Sequence, residues 1–257
     1  MGMNAFRDCK KIASITIPSS VESIGSYAFC GCSSLTSITI PSNITSISEY
    51  TFSGCISLKT VNIASSNVIS IGMGTFMDCK NLTSISIPSS VKTIGSFAFY
   101  GCESLESVTI PSGVTSIYSN TFDGCKSLKI VSITSNLTYI GNGGFMDCKN
   151  LVSIIIPSSV SSIGSKAFFG CNNLASVIYL GLDDPTKDDV RDIFNGCDQL
   201  KFVCVPSSYN SNSFCNLYHF CKHESCESFI HNQCYPVCNS NNSISMEKRE
   251  NATIWEK

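Results

Sequence analysis

Apolar and polar positions repeat along this chain at a nearly constant interval. A phenylalanine followed three residues later by a cysteine recurs nine times, and the steps between the cysteines are 23, 23, 24, 23, 23, 23, 23 and 26 residues. A fixed period in this range predicts a solenoid, in which each coil packs on its neighbours. The pairs are Phe6/Cys9, Phe29/Cys32, Phe52/Cys55, Phe76/Cys79, Phe99/Cys102, Phe122/Cys125, Phe145/Cys148, Phe168/Cys171 and Phe194/Cys197.

Each repeat predicts one coil built from two short strands and a helical turn. In residues 33–55, apolar and polar residues alternate through Ile38 and Ile40, which indicates a strand with one buried face. Pro41 ends that strand, because proline has no N–H to donate to a sheet. A second apolar pair then predicts a second strand, and residues 50–55 predict a helical turn. We therefore expect nine stacked coils of parallel strands, each about 4.8 Å from the next.

The repeat resembles the BspA-type leucine-rich repeat. Its unit I-P-S-S-V-x-S-I-G-x-x-A-F-x-G-C-x-S-L-x-S-I-x-I stands almost intact in residues 17–40 and again in residues 87–110, and the resemblance covers residues 5–206. Members of that family are typically surface or secreted proteins of bacteria and parasitic protists that bind host or neighbouring-cell proteins. The resemblance therefore implies a protein-binding scaffold at the cell surface or outside the cell, not an enzyme.

Two features of the N-terminus depart from that expectation. The chain begins within a repeat, at Phe6, and its first residues contain no apolar signal-peptide segment. A fragment of a longer protein would show both features. A cytoplasmic scaffold with reduced cysteines is the alternative.

Composition and charge exclude several other classes of function. Charged residues make up 14% of the chain and the net charge is −2, so no basic stripe for nucleic acid is expected. No apolar run reaches the roughly 18–20 residues that span a bilayer. The three histidines all lie beyond residue 218, away from any nucleophile motif, so we expect neither an active site nor a cofactor.

The cysteines predict two different environments. The nine cysteines of the repeat are small and apolar, so we expect buried thiols rather than disulfides along the solenoid. Residues 1–206 would form the solenoid, and residues 207–257 a cysteine-rich C-terminal cap. Disulfides are favoured at that end over zinc and free thiols, because no C-x-x-C pair is present and no metal site is expected. The candidate disulfide cysteines are Cys204, Cys215, Cys221, Cys226, Cys234 and Cys238.

The solvent-facing columns of the first strand predict a binding surface. In the first five coils these columns hold mostly serine and threonine, whereas apolar residues replace them from the sixth coil on. An apolar cluster on a polar face is covered either by the chain's own C-terminal segment or by a protein partner. The candidate partner-binding residues are Ile130, Val152, Ile155, Ile178 and Phe202.

Two further expectations concern modification and assembly. Asn43 and Asn136 begin N-x-S/T sequons in turns and are the candidate glycosylation sites, provided that the protein enters a secretory pathway. An uncovered sheet edge at the N-terminal coil would also permit self-association, as in a structural surface coat.

Overall fold

A computed structural model of the chain describes residues 1–64, 66–134, 136–186, 191–215 and 217. Of Phe202, and of three strands beyond residue 220, it describes the backbone alone. The described chain is a β-solenoid whose strands pair in parallel from one coil to the next. Equivalent residues pair in register, as Ile38 does with Val61 and Ile47 with Ile71. The predicted leucine-rich-repeat solenoid is therefore confirmed.

The strands form two walls of the coil. The first wall has mostly four-residue strands, and the second has two-residue strands. In order along the chain, the strands are β1 (Ser37–Ile40), β2 (Ser46–Ile47), β3 (Thr60–Ile63), β4 (Ser70–Ile71), β5 (Ser84–Ile85), β6 (Thr93–Ile94), β7 (Ser107–Ile110), β8 (Ser116–Ile117), β9 (Ile130–Ile133), β10 (Tyr139–Ile140), β11 (Ser153–Ile156), β12 (Ser162–Ile163), β13 (Ser176–Tyr179), β14 (Phe202–Pro206), β15 (Cys221–His223), β16 (Cys234–Cys238) and β17 (Ile244–Lys248).

The regular strands make about seven turns rather than the nine predicted coils. The first repeat, residues 12–17, forms no strand, although Thr36 N still donates to Ala13 O. The last coil is longer than the others and leads to β14, which pairs with β13. The phenylalanine stack nevertheless runs through all nine repeats. The repeat pattern thus fixes the stacking of the core, while the terminal coils lack part of the sheet.

The core is a set of columns that run along the solenoid. The phenylalanine rings of successive coils lie 5.3 to 5.7 Å apart between centroids, with their planes within 18° of each other. Stacked rings at this distance add favourable contacts to the apolar area that they bury. Leucine, isoleucine and cysteine columns lie beside them, and nearly all are fully buried.

A third wall, here called the turn wall, closes each coil where a helical turn was predicted. No helix occurs among the described residues. Two residues per coil instead have positive φ, such as Tyr27 at 59° and Gly31 at 73°. These left-handed residues turn alternate N–H groups along the solenoid axis, so that Phe29 N donates to Thr51 O of the next coil. The prediction of a helical turn was therefore wrong, because the backbone there forms hydrogen bonds between coils instead of those within a helix.

The C-terminal end of the core is covered by residues that follow β14. The ring of Phe214 lies 6.2 Å from that of Phe194, the last ring of the stack, and is fully buried. Asp184 accepts hydrogen bonds from Ser213 Oγ at 3.0 Å and from Cys215 N at 3.3 Å. These contacts hold the segment after β14 against the last coil.

Candidate binding surface

The outer face of the first wall is regular and polar in its N-terminal half. Side chains alternate between the core and solvent, and the solvent-facing residues of β1 and β7 are Ser37, Thr39, Ser107 and Thr109, all exposed. Because paired strands lie in register, these hydroxyl groups form straight columns along the solenoid. This half of the face offers hydrogen-bonding groups at a fixed spacing but no apolar surface.

Apolar side chains replace the hydroxyl groups in the C-terminal half. Ile155 lies directly opposite Ile178 on the neighbouring strand, and both are partly exposed, whereas their neighbours Ile154 and Ile156 point into the core. Val152 lies at the edge of the same face and keeps 45% of its surface exposed. Three of the five candidate residues, Val152, Ile155 and Ile178, therefore lie on the outer face.

The structure does not gather all five candidates into one column. Ile178 pairs with Cys204 in register, so Ile155, Ile178 and Cys204 continue a single column. Ile130 lies in a different column, opposite Ser107. The side chain of Phe202 lies outside the described part of the structure. The accessible apolar area is thus a short strip with Val152 and Ile155 at its centre.

The C-terminal end of this face is covered by the protein's own chain. Ser176 points outward from β13 yet is only 3% exposed, and Cys204 is fully buried. Cys204 forms a small apolar cluster with Ile178 and Leu180, separate from the main core. Self-coverage therefore accounts for the Ile178 end of the strip.

The cysteines of the C-terminal region have unlike states. Cys204 is fully buried on β14, and its disulfide stays a prediction. Cys215, by contrast, has a free thiol that is buried in the core cluster, so the disulfide predicted for it is absent from the structure. Burial and the nearby Asp184 carboxylate raise the pKa of that thiol well above its ordinary value. The side chains of Cys221, Cys226, Cys234 and Cys238 lie outside the described residues.

The nine cysteines of the repeat are free thiols, as predicted. From Cys32 onward, each thiol donates a hydrogen bond of 3.0 to 3.3 Å to the carbonyl oxygen of the preceding coil's phenylalanine. Burial raises the pKa of Cys79 and Cys125 well above the ordinary value. Because the thiolate is the reactive form, these groups are inert in the folded protein.

The two candidate glycosylation sites lie in exposed turns between the strand walls. The side-chain amide of Asn43 donates to Val21 O at 2.8 Å, and that of Asn136 donates to Ser112 O at 3.3 Å. Both amides therefore bridge neighbouring coils, and a glycan would have to replace these hydrogen bonds. Glycosylation stays a prediction.

Other kinds of site were also sought in the described residues. No group of histidine, cysteine, aspartate or glutamate there is arranged to hold a metal ion. No helix in that part of the chain is long and apolar enough to cross a membrane.

Sequence reasoning missed the chemistry of the turn wall. Its second left-handed position holds aspartate at Asp8, Asp78 and Asp147 and glycine in the coils between. These aspartates are 70 and 69 residues apart, so a longer period of three coils is superimposed on the period of one coil. The sequence FMDCKN at residues 76–81 and 145–150 was the signal for this longer repeat. The turn wall also carries partly exposed aromatic rings.

The family can now be stated from the comparison with known proteins. A leucine-rich-repeat solenoid is the class that the fold defines, and the family model described as BspA type leucine rich repeat region, with six copies, matches residues 1–129 and 69–182. These matches together cover more than half of the chain, which therefore belongs to the BspA-type leucine-rich-repeat family. The family fits a protein-binding scaffold. No curated protein matches the chain.

Two solved structures share this architecture. A leucine-rich-repeat protein from Bacteroides ovatus is 27% identical, with a TM-score of 0.66 over 87% of this chain. The T. pallidum leucine-rich-repeat protein is 33% identical, with a TM-score of 0.56 over 59% of this chain and 70% of its own length. The chain spans 63% of the length of the Bacteroides protein.

Proposed function

We propose that this protein is a non-enzymatic scaffold that binds other proteins through the outer face of its first wall. The observation that carries the proposal is the replacement of exposed polar residues by Val152 and Ile155 on an otherwise polar face. Exposed apolar strips bordered by polar residues are typical of protein-interaction sites. The solenoid holds these side chains at fixed spacing, so little conformational entropy is lost on binding.

The partner is a protein at the cell surface or outside the cell, in keeping with the family to which the chain belongs. A disulfide at Cys204, which stays a prediction, would require an oxidising compartment. Counting free thiols by intact mass on protein from its native cell tests the location. Oxidised cysteines beyond residue 203 with reduced repeat cysteines would support it, whereas reduced cysteines throughout would favour an intracellular scaffold.

Replacing Val152 and Ile155 with serine tests the binding surface. Each substitution removes apolar area that a partner would bury. The amount of extracellular-matrix protein that binds to the immobilised double variant should therefore fall at least about tenfold relative to the wild type. Quantitative mass spectrometry of the retained proteins measures the effect. Thr109→Ser, on the same face in the hydroxyl half, is the matched control and should retain the same proteins as the wild type.

Ile178→Ser separates partner binding from self-coverage. Because Ile178 packs against Cys204, this change should lower the melting temperature while retention changes little. If Val152→Ser with Ile155→Ser also lowers the melting temperature and leaves retention intact, the whole strip serves the protein's own fold and the proposal is wrong.

A further inference from the structure

The turn wall carries the largest set of partly exposed aromatic and methionine side chains in the described structure. Two outward positions in each coil, three residues apart, frame the inward phenylalanine. From the second to the eighth coil, half of these positions hold a ring or a methionine, each half-buried. They are Tyr27, Tyr50, Met77, Phe97, Tyr100, Met146 and Phe169.

The middle of this wall is acidic. It consists of five segments, one from each coil. Their charged residues are Glu49, Asp78, Asp123 and Asp147, and none of the five contains a lysine or arginine. Lys80, Lys126 and Lys149 follow at the corner of the coil, and the first two pair with Glu103, at 3.4 and 3.2 Å. The segments are residues 48–55, 72–79, 95–102, 118–125 and 141–148.

Both ends of the turn wall already hold cations against aromatic rings. The guanidinium carbon of Arg7 lies 5.4 Å from the centre of the Tyr27 ring, and Lys166 Nζ lies 5.7 Å from that of Phe169. These distances are typical of cation–π contacts. Within the described residues, no lysine or arginine lies over the rings of Phe97 or Tyr100.

Phe97 and Tyr100 form the centre of the wall. Their ring centroids are 5.9 Å apart and tilted by 58°. The carboxylate of Asp78, from the preceding coil, lies across Gly101, where a side chain would collide with it. Asp123 of the following coil is nearly buried and accepts a hydrogen bond from Asn120. Asp78 is therefore the carboxylate presented beside the aromatic pair.

We propose that the centre of the turn wall, formed by Phe97, Tyr100, Met77 and Asp78, binds lysine or arginine side chains on a basic segment of a protein partner. The aromatic rings contact the face of the cation, and the acidic surroundings attract it. Tyrosine, phenylalanine and methionine are also the residues that protein interfaces favour. This surface is separate from the outer face of the first wall, so the two proposals stand independently.

Fluorescence anisotropy with a labelled peptide of alternating arginine and glycine tests the proposal, with alternating glutamate and glycine as the reference peptide. The full chain should bind the arginine peptide at low salt, and more weakly as salt increases. Phe97→Asn with Tyr100→Ser should weaken binding about tenfold. Asn120 and Ser53 occupy the same two positions in other coils, so the solenoid accommodates both changes.

Tyr27→Asn is the matched control, because that ring already contacts Arg7 and Tyr50. The Tyr27→Asn variant should bind the arginine peptide with the same affinity as the wild type. The Ile155→Ser variant should do so too. Asp78→Asn should weaken binding and reduce its salt dependence. Thermal unfolding verifies that each variant is folded, and Tyr100→Ser alone replaces the double variant if the latter is not.

Equal binding by the wild type and the Phe97/Tyr100 variant would overturn the proposal. So would an equal loss in Tyr27→Asn, because the attraction would then be general rather than local. Failure of the wild type to bind the arginine peptide at low salt would also overturn it, and would leave the proposal for the first wall unaffected.

Discussion

At the scale of single residues, the cysteine that recurs in every repeat is the feature to explain. The repeat cysteines from Cys32 to Cys171 are buried, and each donates to a phenylalanine carbonyl that already accepts a backbone hydrogen bond, as Phe76 O does from Cys79 N at 3.1 Å. The thiol bond therefore adds to a satisfied carbonyl. The small side chain fits beneath the bend, and its burial keeps the proton on sulfur.

The buried thiols predict a loss of stability in alkaline solution. In the unfolded chain they ionise near the ordinary pKa of 9.0, whereas burial raises the folded pKa of Cys32 to about 11 and raises that of Cys79 and Cys125 well above 9.0. Their contribution to stability is therefore complete below pH 9 and is lost as the pH rises toward the folded pKa. Each such thiol should lower the free energy of unfolding by about 1.4 kcal/mol per pH unit above 9.

Urea unfolding at several pH values between neutral and alkaline measures this loss. Cys79→Ala with Cys125→Ala should show a shallower decline than the wild type, although it is less stable at neutral pH. Cys30→Ser, at a half-buried thiol on the turn wall, is the control and should change the slope much less. Parallel declines in all three proteins would contradict the assignment to buried thiols.

At the scale of elements, the turn wall replaces the expected helical turn by a backbone with two left-handed residues in each coil, four residues apart. Glycine fills the second left-handed position in most coils, and aspartate fills it at Asp8, Asp78 and Asp147. Both residue types tolerate positive φ better than alanine does. The wall's hydrogen bonds to the next coil depend on that backbone shape.

Gly54 isolates this backbone effect. Its φ is 72°, and a methyl group there would make only ordinary contacts with Gly31 at 3.7 Å. Gly54→Ala should therefore lower the free energy of unfolding by about 1–2 kcal/mol through the left-handed conformation alone. Gly54→Asn should cost less, and urea unfolding compares the two. Equal stability of the alanine variant and the wild type would show that the position is not strained.

At the scale of the whole molecule, the solenoid is held together by contacts between neighbouring coils. In the described residues, the segment after β14 covers the C-terminal end of its core. Phe214 extends the ring stack beyond Phe194, and Asp184 anchors the segment that carries it. Because each coil contacts only its neighbours, opening of this end should not spread evenly through the molecule.

Phe214→Ala should destabilise the C-terminal coils by about 3–5 kcal/mol, the usual cost of removing a buried phenylalanine. Hydrogen exchange read by mass spectrometry should show faster exchange in β11 to β14 and unchanged exchange in β1 to β5. Tyr118→Ala, at a ring that is 41% exposed, serves as the control and should alter neither region. Uniformly faster exchange along the whole chain would mean that the solenoid unfolds as one unit.

The sequence by itself determined the period, the parallel strands, the buried columns and the family. A 23-residue interval leaves one way to stack apolar side chains, since a slip of one residue would turn every strand's apolar face outward. Only the tertiary structure decided the shape of the turn wall, the self-coverage of Ile178 and the free state of Cys215. Those features depend on contacts between coils, or with the segment after β14, that no local pattern encodes. The aromatic and acidic centre of the turn wall likewise forms only when neighbouring coils are stacked.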